Sequence, residues 1–312
     1  MGNNFNDGNK ITIRKTIVVF LLSLFYLLLS VYLIGFKSDE LVLIGIFNGL
    51  FFLSPITRKF VTGFSIFILY WIIFDYMKAF PNYHYNIVHI ADLYNAEKRL
   101  FGIHIDGKLL TPNEYWRLHG NTFLDITAGI FYLCWVPVPL AFAAYLFFKN
   151  KEQFLYFSLT FVLVNLLGFA VYYLYPAAPP WYVQYHGFDF DAATAGNPAG
   201  LAKFDSYFHA GIFKSLYAKG SNVFAAMPSL HSSYPVIVLY YGLKNRLGLV
   251  NIFFVIVMLG IWCTAVYASH HYILDVLAGI VCAAAGITLF NILVFRTKFF
   301  RGLIEKFTES IR

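Results

Sequence analysis

The chain has 312 residues, of which 59% are hydrophobic, 20% aromatic and only 12% charged, with a net charge of +7. Soluble domains carry about a quarter charged residues, so a water-soluble fold is excluded for most of the chain and the bilayer is its solvent. The basic residues are scattered between apolar runs and never form a block, which sets aside a nucleic-acid surface.

A helix crossing ~30 Å of hydrocarbon needs about 20 residues. Eight segments read as spans: 16–36, 41–56, 60–79, 123–148, 154–176, 230–244, 250–269 and 271–295. The expected fold is therefore an all-α polytopic membrane bundle, with 41–56 and 230–244 its shortest members. The first run is an uncleaved span and not a signal sequence, because Lys37-Ser38-Asp39-Glu40 follows it where a small-residue cleavage site would stand. Within the connection 80–122, Ile87, Ile90, Ala91 and Tyr94 mark the apolar face of a short amphipathic helix, with Glu97, Lys98 and Arg99 on its polar side. Such a helix either lies in the membrane interface or packs on the bundle outside it. Asn165, in mid-span, is suited to bonding a neighbouring helix, and Ala278, Cys282 and Gly286 give a small-residue packing stripe.

Cations set the orientation. With the N-terminus cytoplasmic, that side holds Lys10, Arg14, Lys15, Arg58, Lys59, Lys149, Lys151, Lys244, Arg246, Arg296, Lys298, Arg301, Lys306 and Arg312, which is 14 of the 23 Lys and Arg. Both termini then face the cytoplasm, and the long connections 80–122 and 177–229 are extracytoplasmic. The expected organisation is accessory spans over 1–59, a catalytic membrane domain over 60–296 and a cytoplasmic basic tail over 297–312. Cys134, Cys263 and Cys282 all fall in apolar stretches, which suits core residues better than disulfides.

Ionisable groups inside spans are costly and mark function by default. Ser269-His270-His271-Tyr272-Ile273-Leu274-Asp275 opens the last span. His271 and Asp275 share one helical face, a turn apart. A carboxylate there accepts the imidazole N–H, fixes its tautomer and raises its nucleophilicity; the alternative is a polar capping pair at a helix start. The second cluster is Met227-Pro228-Ser229-Leu230-His231-Ser232-Ser233. Pro and Ser suit a helical first turn, whose free N–H groups bind anions, with His231 placed to protonate an ester oxygen; a plain capped helix start is the alternative. Both clusters lie at the same membrane face, and together they supply the parts for phosphoryl transfer. Asp75 and Asp125, near the outer ends of their spans, either line the site or snorkel and cap.

Pro228-Ser229-x-His231 and His271-x3-Asp275 resemble the second and third signatures of the type 2 phosphatidic acid phosphatase superfamily, over roughly the last two-thirds of the chain. The resemblance implies a six-helix core, a phosphohistidine at His271, Asp275 as its orienting partner and His231 as acid to the leaving group. The usual first signature, Lys-x6-Arg-Pro, is missing, Thr264-Ala265 stands where a Ser-Arg pair is usual, and Leu230 replaces the commoner Gly. These departures, with Pro179-Pro180-Trp181-Tyr182 and His270-His271-Tyr272, resemble the branch of inositol phosphorylceramide synthases. That branch implies transfer of a phospho-headgroup from a phospholipid donor to a ceramide or diacylglycerol hydroxyl.

With two cations lost, the phosphate's charge falls to others on the same side: His270, Lys203, Lys214, Lys219, Lys98, Arg99 and Arg117. A phosphodiester carries less charge than a phosphomonoester, which favours headgroup exchange over monoester hydrolysis. Trp181, Tyr182, Tyr185 and Trp116 either stack on an inositol ring or form an interfacial aromatic belt, the simpler reading. Ser229 and Leu230 complete the expected substrate contacts. No metal or cofactor is expected, since no acid, His or Cys cluster has ligand spacing. A lipid phosphatase is the alternative within enzymes. A transporter or scramblase fits less well, since neither repeated halves nor interrupted mid-membrane segments are visible.

Overall fold

The computed structural model describes residues 12–220 and 222–312; Lys10, counted above among the cytoplasmic cations, lies outside them. The chain divides into two compact units, one of 12–80 with Leu303–Arg312 and one of Pro81–Gly302.

The first unit opens with α1 (Ile13–Ile34), α2 (Ser38–Leu53) and α3 (Pro55–Tyr76). Pro55 sits in the first turn of α3, where its missing N–H costs nothing, and the Ser54 hydroxyl accepts from Thr57 N at 3.1 Å. Val19, Phe51 and Val61 form its apolar core. Polar side chains are paired within it: Ser30 Oγ lies 2.8 Å from the Tyr76 hydroxyl, and Asp75 takes Lys37 at 3.8 Å together with Lys78. Asp75 is thus an ion-paired residue of this unit.

The second unit begins with short elements: α4 (Ala91–Phe101), the antiparallel hairpin β1 (Ile103–Ile105) and β2 (Lys108–Leu110), and α5 (Pro112–His119). Then follow α6 (Thr122–Leu133), α7 (Pro137–Lys149) and α8 (Lys151–Leu174). After α8 the chain forms α9 (Pro180–His186), α10 (Ala202–Tyr207) and α11 (Ile212–Ala218). It then runs through α12 (Leu230–Lys244), α13 (Val250–Tyr267) and α14 (Ile273–Arg296); in α15 (Lys298–Ser310) the residues from Leu303 onward belong to the first unit.

Among the described residues six helical segments are long and apolar enough to cross a membrane: α1, α3 with its following turn, α6 with α7, α8, α13 and α14. This is the expected all-α polytopic bundle. Two of the eight expected spans are shorter than the rest, α2 at 16 and α12 at 15 residues. α12 packs on α7, α8, α13 and α14, so its environment is protein on most sides. That is why it carries polar residues and an internal Pro235. The span expected as continuous over 123–148 is instead broken at 134–136, because Pro137 and Pro139 cannot extend the helix that precedes them.

Buried polar bonds fix the bundle's register. The Tyr234 hydroxyl donates to Asn165 Oδ1 at 2.7 Å, joining α12 to α8 as expected for Asn165. Gly286 lets Val164 approach α14, and Cys282 Sγ lies 3.6 Å from the Val164 carbonyl. At one end of the bundle three loops form a parallel ladder through His89, Ala177 and Ala225. His89 N donates to Pro176 O at 2.8 Å and Ala177 N to Phe224 O at 2.9 Å.

Candidate active site

The site grows from two helix starts. Ser229 caps α12, its hydroxyl accepting from Ser232 N at 3.3 Å. Asp275 caps α14 from inside, accepting from Tyr272 N at 2.8 Å. The two starts are stitched together: Ser229 N donates to Asp275 O at 2.9 Å, and the Ser233 hydroxyl to Gly279 O at 2.7 Å. Gly279 permits this approach, since a Cβ there would sit 2.2 Å from Ser229 O.

The stitching brings the side chains of His231, His271 and Asp275 into line. His231 Nδ1 lies 3.3 Å from His271 Nε2, and His271 Nδ1 lies 3.6 Å from Asp275 Oδ2. The second distance is ion-pair reach and longer than a hydrogen bond. Asp275 is fully buried, and its Oδ1 has no hydrogen-bond partner. Burial holds the His271 imidazole below the ordinary histidine range, so it is unprotonated at neutral pH. An aromatic wall surrounds His231: the Trp135 ring lies 4.5 Å away edge-on and Tyr132 5.2 Å away.

The remaining residues singled out from the sequence are spread around this line. Ser229 and Leu230 sit at the α12 start, Leu230 being buried over Gly168. His270 is buried, stacked on Tyr217 at 4.5 Å, with its Nε2 3.0 Å from Pro198 O, and burial pushes its pKa down to about 3. It is thus neutral and engaged with protein. Trp181 and Tyr182 pack into a core with Ile90 and Phe224, and the Tyr182 hydroxyl donates to Asp189 O at 2.7 Å. An interfacial belt does not describe them. Lys203 lies 3.3 Å from Asp125, which also accepts from the Tyr267 hydroxyl at 2.6 Å. Arg117 sits 5.6 Å over the exposed Tyr185 ring, and exposed Lys219 follows α11.

Glu97 departs most from the sequence reading. Expected on the polar side of α4, it is 0% exposed, and its carboxylate accepts from Ile273 N at 2.9 Å and Leu274 N at 3.1 Å. Trp135 was also missed, though Val136-Pro137 beside it signalled the helix break that turns it towards His231. Among the described residues no group of three or more His, Cys, Asp or Glu is arranged to hold a metal ion.

The chain is 43% identical to the phosphoinositol dihydroceramide synthase of Bacteroides thetaiotaomicron over 302 residues, 96% of this chain and 99% of that protein. It is 30% identical over 183 residues to the inositol phosphorylceramide synthase of Candida albicans, covering 55% of this chain and 38% of that one. It is 29% identical over 239 residues to the inositol phosphorylceramide synthase catalytic subunit AUR1 of Saccharomyces cerevisiae, covering 75% of this chain and 57% of that one. No solved structure matches. Residues 92–289, from α4 into α14, match the PAP2 superfamily, and with His231, His271 and Asp275 all inside that stretch, the chain belongs to this superfamily.

Proposed function

We propose that this membrane protein transfers a phosphoinositol headgroup from a phospholipid to the hydroxyl of a ceramide-type lipid through a phosphohistidine at His271. The observation that carries the reading is the line His231–His271–Asp275, with ring nitrogens 3.3 Å apart and the carboxylate 3.6 Å behind. The relatives' names, all synthases of inositol-phosphate-bearing ceramides, supply the headgroup and the acceptor.

In the first step His271 Nε2 attacks phosphorus, forming N–P and breaking the P–O bond to diacylglycerol, whose oxygen takes a proton from His231, which the anionic phosphate of the bound donor brings to its protonated form. In the second, the ceramide hydroxyl oxygen attacks the same phosphorus while His231 takes its proton. The N–P bond breaks, and both histidines return to their starting state. Asp275 stabilises the charge on the His271 ring while phosphorus is attached. The phosphoryl group enters where the two ring nitrogens now meet, so His231 turns aside as the donor binds.

Transfer in preference to hydrolysis needs an acceptor held in attack geometry, because water is abundant; well-oriented groups reach effective molarities of ~10⁵ M or more. A small apolar recess lies beside the site. Cys134, Trp135 and Val138 line it at the α6–α7 break, facing Pro235 of α12 and Phe254 and Ile261 of α13. Trp135 joins this recess to His231. We also propose that both termini are cytoplasmic and the site extracytoplasmic, that the first two spans are accessory to catalysis, and that Ser229 and Leu230 help shape the phosphate site.

Purified protein incubated with labelled phosphatidylinositol, with and without ceramide, tests the function. Ceramide should raise donor consumption and yield a new phosphodiester lipid with the headgroup intact. Free headgroup phosphate as the sole product, whatever acceptor is added, would make the protein a phosphatase.

A further inference from the structure

The N-terminus of α14 is held by two buried carboxylates. Asp275 takes Tyr272 N, and Glu97, reaching from α4, takes the next two amides, Ile273 N at 2.9 Å and Leu274 N at 3.1 Å. Helix starts leave such amides unpaired, and a side-chain acceptor there fixes the entering turn. The turn in question runs from His271 to Asp275, and its other fastenings lead away from α4: Asn113 Nδ2 donates to His271 O at 2.9 Å, and Ser229 N to Asp275 O. Glu97 thus closes the one side that neither α5 nor α12 holds. Its charge also occupies the start of α14, which directs an incoming phosphate to the start of α12, where His231 stands.

We propose that Glu97 is a positioning residue for the headgroup-transfer reaction, fixing through the α14 start the angle between His271 and Asp275. This rests on the function proposed above, and it concerns a residue outside both signature motifs.

Glu97 is also poised to titrate. Burial pushes its carboxyl up to about 7, with the Asp275 charge adding and the Ile273 and Leu274 amides opposing. Around it stand Asp275 and Tyr272 at the start of α14, Tyr94 and Lys98 on its own helix, and Glu114 of α5. Lys98 is bonded to the Tyr94 hydroxyl at 3.0 Å, which itself donates to Glu114 at 2.9 Å. Lys98 is thus engaged by Tyr94. Glu97 answers chiefly to burial, opposed by the Ile273 and Leu274 amides, with Asp275 the smallest contribution. A carboxylate accepts both α14 amides; a protonated carboxyl keeps one good acceptor oxygen. The grip on the turn therefore weakens as pH falls through about 7.

The test compares wild type with Glu97→Gln in the transfer assay from pH 5.5 to 8.5, with amide exchange at Ile273 and Leu274 measured on both. The wild-type turnover should fall on the acid side of about 7, and Glu97→Gln should lose that limb. Its kcat should drop about tenfold with KM for donor unchanged, the signature of an effect on the transition state alone. Wild-type exchange at the two amides, corrected for intrinsic rate, should rise as pH falls through the same range. A Glu97→Gln enzyme with wild-type kcat and an unchanged acid limb overturns the proposal. If that variant does not fold, wild-type exchange decides: protection that is flat with pH overturns the proposal and a graded loss supports it. A wild type that moves no headgroup would defeat the functional reading and leave the exchange result to judge Glu97.

Discussion

Ser229 and Asp275, 46 positions apart in the chain, are joined by a backbone hydrogen bond of 2.9 Å from Ser229 N to Asp275 O. The bond is short because Gly279 has no side chain to hold α12 off α14. Gly279→Ala forces its new Cβ against Ser229 O and moves His231 away from His271. A displacement near 1 Å at a reacting centre costs roughly 100-fold in rate, so turnover should fall about that far while the protein still inserts. Measured turnover of this variant within threefold of wild type would show that the two helix starts need not be in register.

Removing the three aligned side chains separates their proposed roles. His271→Ala should abolish transfer, and His231→Ala should nearly do so. Asp275→Asn should lose roughly 10⁴-fold, the scale seen when the orienting acid of a catalytic histidine is neutralised. The chemical check is an acid-labile phosphoryl label on the wild type that is absent from His271→Ala. Near-wild-type turnover by that variant would sink the mechanism.

The donor set predicts catalysis that needs no added metal. Activity should persist in excess EDTA, and vanadate should inhibit, since it adopts the trigonal-bipyramidal shape of the transferring phosphoryl group. Activity lost to chelation and restored by one divalent ion would contradict this.

Topology is checked by labelling. A cysteine introduced at Lys203 should react with an impermeant reagent from outside intact cells, and one at Lys244 only after permeabilisation. The opposite pattern would place the site at the cytoplasmic face.

Glu97 also predicts a pH dependence of stability. Its folded pKa of about 7 lies above the ordinary glutamate value of 4.5, so the folded state holds the proton more tightly than the unfolded chain. Stability from this group is greatest below about 4.5 and is lost as pH rises to about 7, on the order of 3 kcal/mol across the window. In detergent, wild type should therefore gain thermal midpoint on acidification from pH 8 to 5 relative to Glu97→Gln. Parallel curves for the two proteins would refute the assignment. Activity and stability thus move in opposite directions over the same range.

The convergence of His231, His271 and Asp275 was legible because helical spacing and capping residues act over a few positions, and local rules cover that distance. Ser229 as the α12 cap was legible for the same reason. His270 was not: its neighbours Tyr132, Pro198 and Tyr217 come from three separate segments, and only packing shows that the ring is engaged. Glu97 was misplaced because an acid beside Lys98 and Arg99 looks like a solvated face, while its partners lie at 273 and 274. The α6–α7 break was readable from its prolines but was masked by a hydropathy run that does not register the backbone.

The ladder through His89, Ala177 and Ala225 is made of main-chain atoms alone. Side chains still frame it: Asn82 Nδ2 donates to Phe224 O at 2.8 Å, and Ile90, Ala177, Ala178, Phe224 and Ala226 are buried. Loops held this way can exchange surface residues freely while the histidines beneath keep their places. A library built on these loops should therefore vary only their exposed positions, keeping Ile90, Ala177, Ala178, Phe224 and Ala226 and sparing residues 89, 177, 178 and 226 from proline.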